Sequence, residues 1–346
     1  GEGGMGTVYK AQQQPIGRTV ALKVLLPDLV GDSLKLKRFT NEAQILSQLR
    51  HPHTVSLIDF GQLPNNQLFI VMDYVPGGTL ADLMDGGRIE QSAALRMTRQ
   101  ILQSLAEAHS HGVIHRDLKP ANVLLDEVQG EQFVVRVADF GIAKLDPKHS
   151  GPQIIIHHVR RDGADDDTPE SLRTSPGVRL GTPAYIAPEQ AFAKEIDIRT
   201  DLYSVGVILF EMLTGHKPFH SNTERGLCLE HLHTSPKPVN SIDAVLAIEP
   251  EIEQLLLSLM AKDRDKRPQT ARAAIRIIDH VLARIKTPSL TQTQAMPVVL
   301  PSTKPVAKTT EDHVPLVVPK SGLPSWIYAL VGGLALGAIL ALVLFL

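Results

Sequence analysis

Apolar and polar positions change their spacing several times along the 346 residues. Near the start they come in short β-rich runs. TVYKAQ at 7–12 and RTVALKVLL at 18–26 are rich in β-branched residues and are joined by a turn-forming segment with Pro15 and Gly17, which predicts two adjacent strands. Over SLKLKRFTNEAQILSQL the period becomes helical: Phe39, Ala43, Leu46 and Leu49 share a face, and Ser33 is placed to cap the helix. TVSLIDF and QLFIVMDYV return to strand. Beyond Pro76-Gly77-Gly78 the pattern is mainly helical. SAALRMTRQILQSLAEAHSHG carries Leu95, Ile101, Leu102, Leu105 and Ala108 at helical spacing and closes on Gly112. DLYSVGVILFEMLTG is apolar on nearly every side and too short to cross a membrane, which predicts a helix at the centre of a lobe. Helical patterning continues to about Ile285.

Residues 286–325 hold seven prolines among many Ser and Thr, the composition of a disordered linker. From Trp326 to Leu346 the chain reads WIYALVGGLALGAILALVLFL, 21 residues without a charge. A helix of that length spans roughly 30 Å, the thickness of a hydrocarbon core. Trp326 and Tyr328 stand where an interfacial aromatic belt is expected, and Lys304, Lys308 and Lys320 favour a cytoplasmic N-terminal side. Ala329, Gly333, Gly337 and Ala341 recur every four residues, so a homodimer through this face is a further expectation. The order is therefore a small β-rich part (1–75), a larger α-rich part (76–285), a juxtamembrane linker (286–325) and a membrane helix (326–346).

Composition adds little to this picture. The net charge of -2 carries no sign of a nucleic-acid partner. The single cysteine, Cys228, excludes an internal disulfide and suits a reducing compartment. His231 and His233 near Cys228 have ligand chemistry but no fourth ligand nearby in sequence, and a packing role is expected. IIIHH at 154–158 reads as loop, not metal site.

The candidate chemistry begins with the first six residues, GEGGMG. Gly1, Gly3 and Gly6 form G-x-G-x-x-G, with Glu2, Gly4 and Met5 between them, and bare backbone of this kind lets N–H groups approach phosphate oxygens. A dinucleotide fingerprint would lead into a helix, and a Walker loop would end in Gly-Lys-Ser/Thr. Here a strand follows, which leaves a hairpin lid over a nucleotide. Lys23 stands alone in an apolar strand and needs a carboxylate, for which Glu42 on the next helix is the candidate. HRDLKPAN supplies Asp117 and Asn122, and the apolar strand FVVRVA ends in Asp139 of DFG. Asn122 and Asp139 offer oxygen ligands suited to Mg²⁺, while Asp117 remains to accept a hydroxyl proton.

In order, the glycine loop, Lys23, Glu42, HRDLKPAN, DFG, GTPAYIAPE, DLYSVGVILFEMLTG and KDRDKRP resemble the eukaryotic-type (Hanks-type) protein kinases over about residues 1–285, and within them the bacterial receptor Ser/Thr kinases with one membrane helix. The resemblance implies an α+β, bilobal fold with a β-rich N-lobe and a helical C-lobe. It implies ATP with Mg²⁺ (Mn²⁺ as a substitute), protein substrates phosphorylated on Ser or Thr, and a place in the bacterial inner membrane with the kinase domain cytoplasmic. By the same resemblance Gly1, Gly3 and Gly6 cover the phosphates, and Lys23, held by Glu42, grips them. Val8, Ala21 and Leu124 sandwich adenine, Met72 is the gatekeeper, and the backbones of Asp73 and Val75 bond the adenine edge. Asp117 orients the acceptor hydroxyl, Lys119 steadies the γ-phosphate, and Asn122 and Asp139 hold the metal. Asp201 anchors the catalytic loop and Glu189 pairs with Arg267. Lys119 and Thr182 match the Ser/Thr-specific pattern.

The strand expected before Gly1 is missing, so the chain reads as a fragment truncated at both ends. Asp139 and Glu189 lie 50 positions apart, long for the activation segment of this family. Arg116, beside Asp117, is expected to meet a phosphate there, with Thr168, Ser171, Thr174 and Ser175 as candidate acceptors. A catalytically silent binding relative and a small-molecule kinase of similar fold are the alternatives. Intact Lys23, Asp117 and Asp139 speak against the first, and GTPAYIAPE against the second.

Overall fold

The alternating runs near the start become strands because each lays one apolar face on a shared core. The computed structural model describes residues 2–3, 6–25, 33–127, 133–140, 183–191, 195–242 and 248–285. In the N-lobe, β1 (Glu2–Gly3), β2 (Gly6–Gln13), β3 (Arg18–Leu25), β4 (Leu57–Gln62) and β5 (Leu68–Asp73) form one antiparallel sheet in the order β1-β2-β3-β5-β4. Gly6 opens β2 opposite Leu25. Its φ is +152°, and a Cβ there would lie 2.1 Å from the Val24 carbonyl oxygen, so only glycine fits.

Helix α1 (Ser33–Leu46) buries Phe39 and Ala43. Phe39 meets Phe60 edge-on at 5.9 Å, and with Leu25, Leu68 and Ile70 it forms the core of this lobe. Ser33 is the first helical residue, one position inside the cap expected from sequence.

The C-lobe gathers α2 (Leu80–Met84), α3 (Gln91–Ser110), α4 (Pro188–Ala191), α5 (Arg199–Thr214), α6 (Glu224–His233), α7 (Val239–Ile242), α8 (Pro250–Leu259) and α9 (Ala271–Arg284). Helix α5 is buried on nearly every side, as its composition requires, and ends on Gly215 in the left-handed conformation. Its Gly206 admits α8: a Cβ would stand 2.8 Å from Leu259 Cβ. Between α3 and α4 lies a two-stranded hairpin, β6 (Val123–Glu127) with β7 (Phe133–Val137). Only β7 stood out in the sequence, because β6 ends in two acidic residues.

Residues 141–182 of the expected activation segment, and all of the expected linker at 286–325 and the expected membrane helix at 326–346, lie outside the described residues. Among the described residues, no helix is long and apolar enough to cross a membrane.

Candidate active site

The loop between α3 and β6 is held from beneath by one buried carboxylate. Asp201, in the first turn of α5, accepts at Oδ2 from His109 Nε2 (2.8 Å) and the His115 amide (2.9 Å), and at Oδ1 from the Arg116 amide (2.9 Å). Burial opposes the charge on Asp201, but the His109 bond, the fields of His109 and His115 and the His115 amide hold its carboxyl below the usual range. The His115 ring ties the loop to the end of β7. Its Nε2 donates to the Ala138 carbonyl at 2.9 Å, its ring packs 4.7 Å from that of Phe140, and Nδ1 takes the Asp117 amide at 3.3 Å. Arg116 adopts φ +65°, and Gln190 Nε2 donates to its carbonyl at 2.8 Å.

These ties set a compact polar cluster. Lys119 Nζ lies 3.0 Å from Asp117 Oδ2. Asn122 Nδ2 donates to the Asp117 carbonyl at 2.8 Å and reaches Asp117 Oδ2 at 3.4 Å. Its donors are thus turned to Asp117, which leaves its amide oxygen as the group it can offer a cation. Asp139, at φ +58°, projects a partly exposed carboxylate from the end of β7. Two such oxygens fit Mg²⁺, which takes one or two protein ligands beside substrate phosphates.

Lys23 corrects the expected pairing. Its Nζ bonds Asp139 Oδ1 at 2.7 Å, not Glu42. The ammonium is only 10% exposed and takes the carboxylate that the left-handed Asp139 backbone brings across from the C-lobe. Glu42 is half-buried without it. Burial pushes its carboxyl above the usual range, against the opposing field of Arg116.

Strand register gathers the residues expected around the adenine. Val8 pairs with Lys23, Ala21 with Met72, and opposed residues share a face. Ala21 and Lys23 are two positions apart, so Val8, Ala21, Lys23 and Met72 all stand on one face. Leu124 comes from β6, bridged to Thr79. The Asp73 amide already donates to the Ser56 carbonyl at 3.1 Å, so its backbone has the carbonyl left to offer.

Below the loop, Arg267 forks onto Glu189 with bonds of 2.7 and 2.8 Å, and Thr200 Oγ1 donates to the same carboxylate at 2.7 Å. Burial opposes the Glu189 charge, and Arg267 more than offsets it, holding the carboxyl below its usual range. His231 has a packing role: Tyr203 Oη and its Nδ1 share a hydrogen bond of 2.9 Å, and Lys262 Nζ donates to its carbonyl at 2.7 Å. Cys228 is buried, with its thiol pushed up to about 11 by burial.

Gly3 and Gly6 lie in β1 and β2, and Glu2 is described only in its backbone. Gly1, Gly4, Met5, Thr168, Ser171, Thr174, Ser175 and Thr182 fall outside the described residues. His109 and His115 were not singled out from sequence. The signal was thin: two of the three histidines in HSHGVIHRD, with their partner, Asp201, far along the chain.

Known proteins resemble this chain. A family model for the protein kinase domain matches residues 1–280. Serine/threonine-protein kinase pkn3 of Myxococcus xanthus is 38% identical over 275 residues, 79% of this chain and 47% of that protein. PknB of Mycolicibacterium smegmatis is 36% identical over 275 residues, 78% of this chain and 40% of its own. Serine/threonine-protein kinase A of a Synechocystis species is 34% identical over 339 residues, 94% and 60%. The chain spans about half the length, or less, of the first two. Among solved structures, Rad53 1-466 in complex with AMP-PNP aligns with a TM-score of 0.62 and 28% identity over 80% of this chain and 63% of that one. The PknI kinase domain of Mycobacterium tuberculosis aligns with a TM-score of 0.58 and 25% identity over 81% and 92%.

Proposed function

The chain belongs to the protein kinase family, and on that premise we propose that it is a serine/threonine protein kinase that moves the γ-phosphate of ATP to Ser and Thr hydroxyls of proteins. One observation carries the reading: the Asp201 carboxylate and the His115 ring lock the loop that places Asp117, Lys119 and Asn122 together, beside Asp139 and Lys23.

In this reading Asp117 orients the acceptor hydroxyl and takes up its proton. Lys119, already against Asp117, bonds the γ-phosphate and offsets its charge. Lys23 grips the α- and β-phosphates. The fixed loop means that little reorganisation accompanies the transfer, and positioning with charge stabilisation supplies most of the rate. Asn122 and Asp139 would hold Mg²⁺, which supplies further neutralisation of the phosphates. The names of the relatives support Ser and Thr as acceptors. Incubating the chain with labelled ATP and a generic basic protein, then separating phosphoamino acids, tests this. Label on Ser and Thr supports it; no label, or label on Tyr alone, overturns it.

The finer proposal is membrane signalling. The kinase part lies in the bacterial cytoplasm, anchored by 326–346, associates as a homodimer through Ala329, Gly333, Gly337 and Ala341, and autophosphorylates within 168–175. The uncharged span, the three preceding lysines and the small-residue spacing support it. A reporter enzyme fused after Leu346 is expected to be active only in the periplasm, and cytoplasmic activity would refute the orientation.

A further inference from the structure

We propose that Asp73 and Arg136 form an ionic latch across the lobes that positions the hinge backbone for the nucleotide. The inference rests on the kinase reading for the role of that backbone. The latch itself is read from the structure.

Asp73 is the last residue of β5, where the chain leaves the N-lobe sheet, and its side chain is 17% exposed. Two arginines converge on it from different lobes. Arg18, at the start of β3, bonds Oδ1. Arg136, in β7, brings Nη1 to 3.8 Å from Oδ2. Arg136 Nε also lies 3.1 Å from Asp126 Oδ2 in β6. Two cations and two anions thus balance, and the cluster runs from β3 through the hinge to the β6–β7 hairpin.

Register explains the reach. Leu124 pairs with Arg136, so both stand on one face of the hairpin, and Asp126 follows on that face two residues later. This is the face that carries Leu124, the residue expected beneath the adenine. Arg136 therefore rises beside the nucleotide floor and meets the hinge above it. The next hinge residue is gripped too: Lys10 of β2 lies 4.7 Å from the centre of the Tyr74 ring.

The two halves of the latch differ in weight. Arg18 is half-exposed, and a pair that wet contributes little. Arg136 is 28% exposed and Asp73 17%, so the C-lobe half is better shielded. The carbonyl of Asp73 and the backbone of Val75 are the groups expected to read the adenine edge. Holding the Asp73 side chain from both lobes fixes where those groups lie, which makes Asp73 and Arg136 positioning residues for ATP.

The test uses the whole chain with Arg136→Met, Asp73→Asn, their combination, and Asp73→Glu. Dissociation of ATP is measured by calorimetry without an acceptor, beside KM, kcat and Tm. Arg136→Met is expected to raise the ATP Kd and KM about fivefold, equivalent to about 1 kcal/mol, with kcat changed less than twofold. The double variant should be no weaker than the worse single, because both remove one interaction. Asp73→Glu should recover most of the affinity. Unchanged ATP affinity in Arg136→Met, or single effects that simply add, would overturn the latch. Equal loss of kcat and affinity together with a collapsed Tm would reduce it to a structural contact and overturn the positioning role. Should Arg136→Met fail to fold, Asp73→Asn against Asp73→Glu carries the same comparison. An unaltered chain that neither binds nor turns over ATP would sink the kinase reading, whereas normal ATP binding with indifferent variants sinks the latch alone.

Discussion

The ammonium of Lys23 lies 2.7 Å from Asp139 Oδ1, an ion pair that joins β3 of one lobe to the strand end of the other. Glu42, the partner expected from sequence, is left half-buried with a carboxyl pushed above its usual range. An order of stabilities follows. Asp139→Asn strands a nearly buried ammonium and is expected to cost about 1 kcal/mol, discounted because Asp139 itself is partly exposed. Glu42→Gln removes a carboxylate that burial disfavours. The folded chain holds this proton to higher pH than the unfolded chain, so ionisation of Glu42 weakens the fold as pH rises past 4.5. At neutral pH Glu42→Gln should therefore not lower Tm. Thermal melts of the two variants check this, and the reverse order would make Glu42 the true partner of Lys23.

The pair of Arg267 and Glu189 is buried on both sides, with 0% and 6% of the side chains exposed. Removing the arginine leaves a buried carboxylate that keeps the Thr200 hydroxyl as a donor but has lost both guanidinium bonds. Arg267→Met is expected to cost about 3–5 kcal/mol. Arg99→Met, which breaks the exposed pair with Asp279, is expected to cost under about 1 kcal/mol. Urea titrations of both variants give the comparison, and equal midpoints would show that the buried fork contributes no more than the surface pair.

Burial, with the field of Lys262 beside it, pulls the His231 imidazole down to about 3. The unfolded ring titrates near its ordinary value of 6.5. Between those two values the unfolded chain binds the extra proton, so stability rises with pH across that window and is lost as pH falls from about 6.5 toward 3. Melts at pH 7 and pH 5 should show a clear drop for the unaltered chain and a smaller one for His231→Gln. Equal drops would place the acid sensitivity elsewhere.

Much of this architecture was legible because it is local. Strand alternation marked β2, β3, β4 and β5, and the all-round apolar run marked α5. Asp117, Asn122 and Asp139 announced themselves through short motifs whose members lie within a few residues. What stayed hidden depends on distant contacts. The carboxylate that meets Lys23 is decided by how far Asp139 swings on its left-handed backbone, which no periodicity encodes. Asp201 was legible as an anchor only through resemblance, and its link to His109 spans 92 positions. The Arg136–Asp73 contact joins two strands that face each other only after the lobes fold.

Regulation through the activation segment gives a further expectation. Arg116 precedes Asp117 in sequence, and a phosphate adds about -1.5 to -2 charge that an arginine can bond. Thr174 and Ser175, closest to GTPAYIAPE, are the preferred acceptors, with Thr168 and Ser171 behind them. Replacing all four with Ala is expected to lower activity severalfold. Mass spectrometry that finds no phosphate in 168–175 of active enzyme, or an unimpaired fourfold variant, would overturn this mechanism.

In the proposed reaction, the loop locked by Asp201 presents Asp117 to an acceptor hydroxyl. The most direct measurement is the rate of γ-phosphate transfer at saturating Mg²⁺ and ATP for the unaltered chain and for Asp117→Asn, with ATP affinity measured alongside. Loss of a positioned proton acceptor is expected to slow transfer by about 10²–10⁴-fold, while ATP affinity changes by less than about twofold, since Asp117 is placed at the hydroxyl and not at the adenine. Transfer by Asp117→Asn at the unaltered rate, or an equal loss of ATP affinity and rate, would contradict the account.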